Sequence, residues 1–215
     1  MRLEQLEFRW YQLMRRLRAP TQYVGPMWRE INKAYSAKKR TYHNLHHLAD
    51  LFSQTDRYRD QLEDVDTFEL SIWYHDVIYS VLRKDNEERS ALFAKYRLEV
   101  MRYPREQLIR CYHQINATKL HVLNGATDPD LPYLLDFDLS ILGTRYEQYQ
   151  FYCRQIRQEY GIFPTFLYNR GRKKVLRHLL ERDRIYHTPA YFELFEQRAR
   201  SNMEKELELL EAKTE

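Results

Sequence analysis

The sequence predicts an all-α fold, and three observations support this prediction. Apolar residues recur at helical spacing along most of the chain, and the first such stripe consists of Leu3, Leu6, Trp10, Leu13 and Leu17. No segment alternates apolar and polar residues between hairpin turns, and five glycines in 215 residues are too few for an all-β fold. The hydrophobic fraction of 43% is ample for a core, which argues against disorder. Since the chain has no internal repeat and no low-complexity linker, a single domain over residues 1–215 is expected.

Three helices are predicted in the first 60 residues. The first covers residues 3–17, the second 27–35 and the third about 41–58. Between the first two, the breaking residues are Pro20, Gly25 and Pro26.

The next helices are predicted from their capping residues. Asp66 with Glu69 three residues later resembles a capping box, so a helix is expected to start at Asp66 and to run past His75 to Val77. Asp85 or Asn86 can cap another helix that ends near residue 101. Pro104 is suited to the first turn of the helix after that.

The last third of the chain is also predicted to be helical. A looser segment over residues 123–132 precedes the apolar run LLDFDLSILG. The periodicity then predicts a helix over 146–160 closed by Gly161, and two more over 172–182 and 190–213.

The charge and the cysteine content limit which partners and which compartment are expected for the protein. The net charge is +4, but basic and acidic residues are interleaved, which disfavours a nucleic-acid-binding protein. Cys111 and Cys153 form no CxxC pair and are expected to be reduced thiols of a cytoplasmic protein. The charged N-terminus is not typical of a signal peptide and no apolar run approaches a membrane span, so no membrane partner is expected. Residues 203–210 could support a homodimer, although docking on the same domain is the commoner outcome.

Three groups of metal-capable side chains fall in predicted apolar surroundings. They are His43, His46 and His47 in YHNLHHL, then His75-Asp76 in WYHDVIY, then Asp136 and Asp138 in LLDFDLS. An ionised carboxylate is costly to bury unless it is paired or binds a metal. Imidazole and carboxylate together suit divalent Mn, Fe, Co, Ni or Zn, and an ion between helices could take one ligand or more from each group.

The order of these groups resembles the H…HD…D signature of the histidine-aspartate (HD) superfamily of metal-dependent phosphohydrolases. More narrowly, the chain resembles a bacterial family of uncharacterised predicted HD-superfamily hydrolases. The phrases that carry this resemblance are Tyr42-His43-Asn44-Leu45 with His47, residues 73–79, Asp85-Asn86-Glu87 with Ser90-Ala91, Thr118 with His121, residues 136–143, Ile156-Arg157 with Glu159-Tyr160, Gly171-Arg172, Ile185-Tyr186, and Ala199-Arg200 with Asn202.

The resemblance implies a fold and a set of metal ligands. The fold is an HD-domain-like helical bundle, with its metal-site core at about residues 38–145 and C-terminal helices at about 146–215 packed on it. The ligands are His43, His75, Asp76 and Asp138, with Asp136 as the alternative to Asp138. The ion would be divalent Mn, Ni, Co, Fe, Zn or Mg.

Other residues have candidate roles at this site. His47 and His121 would hold a second metal, contact the substrate or assist catalysis, or else serve as hydrogen-bonding core residues. Glu87 is a candidate general base or a support for the ligands, and Asn86 is a candidate substrate contact. Both residue types are also favoured at the start of a helix for capping and dipole reasons. Arg40 is the first candidate for binding phosphate and Arg172 the second, because a guanidinium can form two hydrogen bonds to a phosphate, although either could instead be a surface cation.

The expected reaction is hydrolysis of a phosphoester in a nucleotide or another small phosphorylated compound. A divalent ion lowers the pKa of bound water towards neutrality and offsets charge on the phosphoryl group. Two alternatives stay open: a di-iron oxygenase of the HD type, and a non-catalytic module that binds metal or nucleotide. Many HD proteins follow the His-Asp pair with a glycine and then a lysine that assists catalysis, but this chain has Val77, Ile78 and Tyr79 there, so a lysine-assisted mechanism is not expected.

Overall fold

The computed structural model describes residues 2–212, and its secondary structure confirms the all-α class. Within this range there is no β-strand, and two short 3₁₀ helices cover Arg59–Gln61 and Ser140–Gly143. The α-helices are α1 (Glu4–Arg16), α2 (Thr21–Tyr35), α3 (Leu45–Tyr58), α4 (Val65–Tyr74), α5 (Asn86–Val100), α6 (Arg105–Ala117), α7 (Leu131–Leu139), α8 (Tyr146–Glu159), α9 (Thr165–Leu180) and α10 (Pro189–Ala212).

The helices group into two compact units, residues 1–134 and 135–215, with the boundary inside α7. The predicted metal-site core, residues 38–145, spans that boundary. That the two units fold as one HD-like domain stays a prediction.

The first unit is organised around α4, which is buried along almost its whole length. Trp73 is at the centre of its core, where its ring contacts those of Trp10 (5.7 Å), Trp28 (5.9 Å) and Phe52 (4.4 Å). Edge-to-face aromatic pairs of this kind stabilise a core beyond the area that they bury. Helix α4 is therefore a rigid support for the residues at its C-terminal end, His75 and Asp76.

The start of α4 differs from the prediction. Asp64, not Asp66, is the N-cap residue, and its carboxylate accepts hydrogen bonds from the Thr67 N–H (3.0 Å) and the Thr67 hydroxyl (2.6 Å). Glu69 is not part of a capping box. Its buried carboxylate instead pairs with Arg9 (2.6 Å) and Arg16 (3.0 Å) of α1, because an internal acid requires a cationic partner.

The predicted breaks at Gly25 and Pro26 are wrong, since α2 begins at Thr21 and contains both residues. Proline removes one backbone hydrogen bond inside a helix. Helix α2 nevertheless continues, because Val24, Trp28 and Ile31 are buried on one face while Pro26 is exposed on another.

Helices α3 and α9 also begin at other residues than predicted. Asn44 caps α3, which starts at Leu45 rather than near Thr41, and its side chain accepts from the His46 N–H at 2.8 Å. Helix α9 begins at Thr165 instead of residue 172, directly after Pro164, whose extended conformation suits the position before a helix. For α10 the predicted end, Lys213, lies outside the described residues.

In the second unit, the start of α10 is tied to α7 by Asp136. Its carboxylate accepts hydrogen bonds from the N–H groups of His187 and Thr188, both at 2.7 Å, and from the Thr188 hydroxyl at 2.7 Å. Gly143 faces Phe195 so closely that a Cβ atom would lie 2.4 Å from the Phe195 Cβ, and only glycine fits there.

Candidate functional site

The candidate site lies at the C-terminal end of α4, where three metal-capable side chains of the first unit converge. Each of His47, His75 and Asp76 is buried, and each offers one ligand atom within 4.8 Å of the other two. Among residues 2–212 this is the one group of His, Cys, Asp or Glu side chains close enough to share an ion. The C-terminal end of a helix carries partial negative charge, which favours a cation there.

The end of α4 explains how adjacent residues can face the same point. On a continuous helix, neighbouring side chains point about 100° apart, so His75 and Asp76 would diverge. Helix α4, however, ends at Tyr74 and not at Val77 as predicted, with His75 as its C-cap residue. The turn after the helix brings the Asp76 Oδ2 atom to 3.3 Å from the His75 Nε2 atom.

The tautomer of His75 follows from its hydrogen bonds. Its Nδ1 atom lies 2.8 Å from the carbonyl oxygen of Ile72. Because a carbonyl only accepts, Nδ1 carries a proton, and in the neutral ring Nε2 presents a lone pair. A backbone carbonyl of this kind orients many metal-binding histidines.

The Nε2 atoms of His47 and His75 are 3.1 Å apart. Two nitrogen ligands at about 2.1 Å from one ion and at a right angle to each other lie about 3 Å apart. The donor set and its spacing therefore fit a divalent cation. A direct hydrogen bond between the two rings would give the same distance. A measurement of metal affinity distinguishes a metal site from such a hydrogen bond.

His43 lies outside this three-residue group. It precedes α3 in a turn, half-buried, and its ring packs against those of Tyr79 (4.5 Å), Tyr42 (4.9 Å) and His47 (5.9 Å). Its predicted role as a ligand stays a prediction. His46 is exposed on α3 and contributes nothing to the group.

The two aspartates near residue 137 belong to the second unit. All the contacts of Asp136 described above hold α10, so its carboxylate has a structural task. Asp138 is half-buried in the last turn of α7, one residue before its end at Leu139. Its predicted role as the fourth ligand stays a prediction.

Arg40 is next to the site but contacts backbone. Its Nη1 atom donates to the Asp76 carbonyl at 2.6 Å and its Nη2 atom to the Val77 carbonyl at 3.0 Å. Asn86 similarly holds the loop after α4, since its amide accepts from the Ser80 N–H and donates to the Ser80 carbonyl, both at 3.0 Å. Substrate contacts by Arg40 and Asn86 stay predictions.

Glu87, at the start of α5, has a perturbed acidity. Burial raises the pKa of its carboxyl, and the negative charge of Asp76 raises it further, while Lys119 and His121 lower it. Glu87 thus lies within electrostatic reach of the candidate site. Lys119 was not among the residues singled out from the sequence, although it lies between Thr118 and His121 of the family-like phrase.

His121 follows α6 in a left-handed conformation with φ of +50°. This region costs a residue with a side chain about 1 kcal/mol, and glycine is the usual occupant. The His121 side chain lies close enough to Glu87 to lower the pKa of that carboxyl.

Arg172, in the second unit, is paired inside the unit. Its Nε and Nη2 atoms donate to the two carboxylate oxygens of Glu206 at 2.8 and 2.9 Å. Burial alone would raise the pKa of Glu206, but the hydrogen bonds and charge of Arg172 lower it below its ordinary value. The arrangement stabilises the unit, and a phosphate contact by Arg172 stays a prediction.

Comparison with protein families, with curated proteins and with solved structures finds no match to this chain. The resemblance to the HD superfamily therefore stays a prediction from the quoted motifs. None of the helices formed by residues 2–212 has the length and apolar character needed to cross a bilayer.

Proposed function

We propose that this protein is a metal-dependent phosphohydrolase that cleaves a phosphoester of a nucleotide or another small phosphorylated compound. The observation that carries the proposal is the convergence of His47, His75 and Asp76, with the two Nε2 atoms 3.1 Å apart. The HD-like motifs add support from the sequence.

The acceptor character of His75 Nε2 and of the Asp76 carboxylate supports the metal. A lone pair on His75 Nε2 and a carboxylate oxygen of Asp76, 3.3 Å apart, repel each other unless a proton or a cation lies between them. Bound here, a divalent ion would supply an acidic water and a positive charge against the phosphoryl oxygens.

The chain itself supplies groups for proton transfer and charge. Glu87, with its raised pKa, can hold a proton closer to neutral pH than an ordinary glutamate and can deliver it to a leaving oxygen. Lys119 is exposed at the end of α6 and offers a cation to a phosphate that enters near Glu87.

The cellular location and the partners are proposed from the sequence. Both cysteines are free thiols, as a cytoplasmic protein would have them, and a cytoplasmic location is part of the proposal. The proposed partner is a small phosphorylated substrate. Association into a homodimer, which sedimentation would measure, is also part of the proposal.

Elemental analysis of the purified protein, followed by a phosphoester panel in the presence of the metal found, tests the proposal. Phosphate release is expected from wild type and from His46→Gln, and it should fall by two orders of magnitude or more, roughly, in His75→Ala and Asp76→Asn. Failure of protein loaded with Mn²⁺, Co²⁺ or Ni²⁺ to cleave any ester would refute the hydrolase. The di-iron alternative would instead show about two irons per chain and oxygen uptake.

A further inference from the structure

We infer that Arg40 is a positioning residue of the metal centre, which acts on Asp76 through the backbone and not on the substrate. The inference rests on the proposed function, because it concerns the same site. It replaces the phosphate-binding role that the sequence suggests for this arginine.

The segment that carries Asp76 needs an anchor, because it follows the last turn of α4. The carbonyls of Asp76 and Val77 lie after the end of α4. Arg40 supplies both with a hydrogen-bond donor, at 2.6 Å for Asp76 and 3.0 Å for Val77. A longer contact of 3.4 Å joins its Nη1 atom to the His43 carbonyl. A single guanidinium thus links the turn before α3 to the turn after α4.

Tyr35 completes the clamp on Asp76. Its hydroxyl oxygen accepts a hydrogen bond from the Asp76 N–H at 3.2 Å. The amide and the carbonyl of Asp76 are therefore both held, by Tyr35 and Arg40 respectively. Because the backbone of Asp76 is held at both its amide and its carbonyl, the position of its carboxylate beside His75 is restricted.

Aromatic rings fix the guanidinium in turn. The Arg40 Cζ atom lies 5.0 Å from the ring centre of Tyr35 and 5.3 Å from that of Tyr79, within the range of cation–π contacts. Tyr79 also packs on His43 at 4.5 Å. Carbonyl groups and aromatic rings occupy most of the Arg40 guanidinium, so few of its N–H groups remain to bind a phosphate.

Lysine cannot replace this group. An ammonium is a compact charge and lacks the planar fork that reaches two neighbouring carbonyls at once. Arg40→Lys keeps the charge and loses the geometry, which separates positioning from electrostatic attraction of an anionic substrate.

The test measures Co²⁺ affinity by visible absorption in wild type, Arg40→Lys, Arg40→Ala and the control Lys39→Ala, an exposed neighbour of equal charge. Loss of an outer partner of a metal ligand typically weakens binding by about 10- to 100-fold, and this loss is expected for both Arg40 variants but not for the control. Ethylguanidinium should restore part of the affinity of Arg40→Ala, which a general loss of stability would not allow. Melting temperatures are recorded alongside, and kcat should fall more than KM rises.

The outcomes separate the two proposals. Arg40→Lys with wild-type Co²⁺ affinity and a raised KM would overturn positioning and restore the substrate contact. Normal Co²⁺ binding by wild type without any phosphoester turnover would refute the hydrolase alone, and the affinities of the Arg40 variants would still decide the inference. Absence of Co²⁺ binding by wild type would overturn both.

Discussion

The Nε2 atoms of His47 and His75 face each other across 3.1 Å, although 28 positions separate the two residues in the chain. The Ile72 carbonyl fixes the proton of His75 on Nδ1, so the lone pair of the neutral ring is on Nε2. The Asp76 Oδ2 atom lies 3.3 Å from the His75 Nε2 atom, so two hydrogen-bond acceptors meet in a buried place. Protons compete with a metal ion for ligands of this kind, so metal affinity should fall as the pH falls.

Glu87→Gln tests the electrostatic link between α5 and the site. The folded-state pKa of Glu87 is raised above its unfolded value, so the folded state loses stability as pH rises from the unfolded pKa through the folded one. The glutamine variant should therefore be the more stable protein at neutral pH, with the difference vanishing in acid. Urea unfolding of the metal-free protein at several pH values measures this.

The same variant should lose activity if Glu87 transfers a proton. A decrease of about 100-fold in kcat is expected, together with loss of one limb of the pH–rate profile. Glu88→Gln, an exposed neighbour, is the matched control. An unchanged pH–rate profile in Glu87→Gln would remove Glu87 from the chemistry.

His121→Gly separates backbone strain from side-chain function. Glycine tolerates the φ of +50°, so the folded protein should keep its stability to within about 1 kcal/mol. His121→Ala retains the strain and should be the less stable of the two variants. If the imidazole serves the site, both variants lose phosphoesterase activity; full activity in His121→Gly would show that the histidine is dispensable.

Arg172 and Glu206 should contribute to stability and not to substrate binding. Removal of one partner of a buried ion pair costs about 3–5 kcal/mol, so Arg172→Met and Glu206→Gln are each expected to unfold at lower urea concentrations. The double variant Arg172→Met/Glu206→Met should recover part of that loss, because no charge is left unpaired. The contribution of Glu206 is present above its unfolded pKa and is lost as pH falls through its lowered folded pKa. A raised KM in folded Arg172→Met would argue for the phosphate contact instead.

Asp64→Ala should weaken the start of α4. Loss of an N-cap side chain costs about 1 kcal/mol. Asp66→Ala removes only a half-exposed pair with Arg16 and should cost less than about 0.5 kcal/mol. Thermal unfolding of both variants checks the order, and the opposite order would contradict Asp64 as the cap.

The helices could be predicted because their apolar stripes repeat at helical spacing, but their ends depend on contacts that the sequence does not display. Pro26 reads as a break, yet burial of Trp28 and Ile31 on another face of α2 keeps the helix intact. Asp64 and Asp66 are equally good caps by residue type. Arg9 and Arg16 bind Glu69 from a distant helix, and this pairing removes Glu69 from the predicted capping box.

Part of the candidate site could also be predicted from the sequence. The His-Asp pair and the histidines of YHNLHHL mark the two segments that meet. Which histidine approaches His75 depends on where α3 begins, and the cap at Asn44 leaves His43 in a turn and His47 inside the helix. Tyr35 could not be predicted, because its contact with Asp76 joins residues 41 positions apart and carries no local signal.

The measurement that tests the central claim most directly is the Co²⁺ affinity of wild type, His47→Gln and His46→Gln. The two variants make the same change at neighbouring positions of α3, one buried in the site and the other exposed. Wild type and His46→Gln should bind about one ion per chain with equal affinity, and His47→Gln should bind at least about 10-fold more weakly. Equal affinity in all three proteins, or no binding by wild type, would contradict a metal centre built on His47, His75 and Asp76.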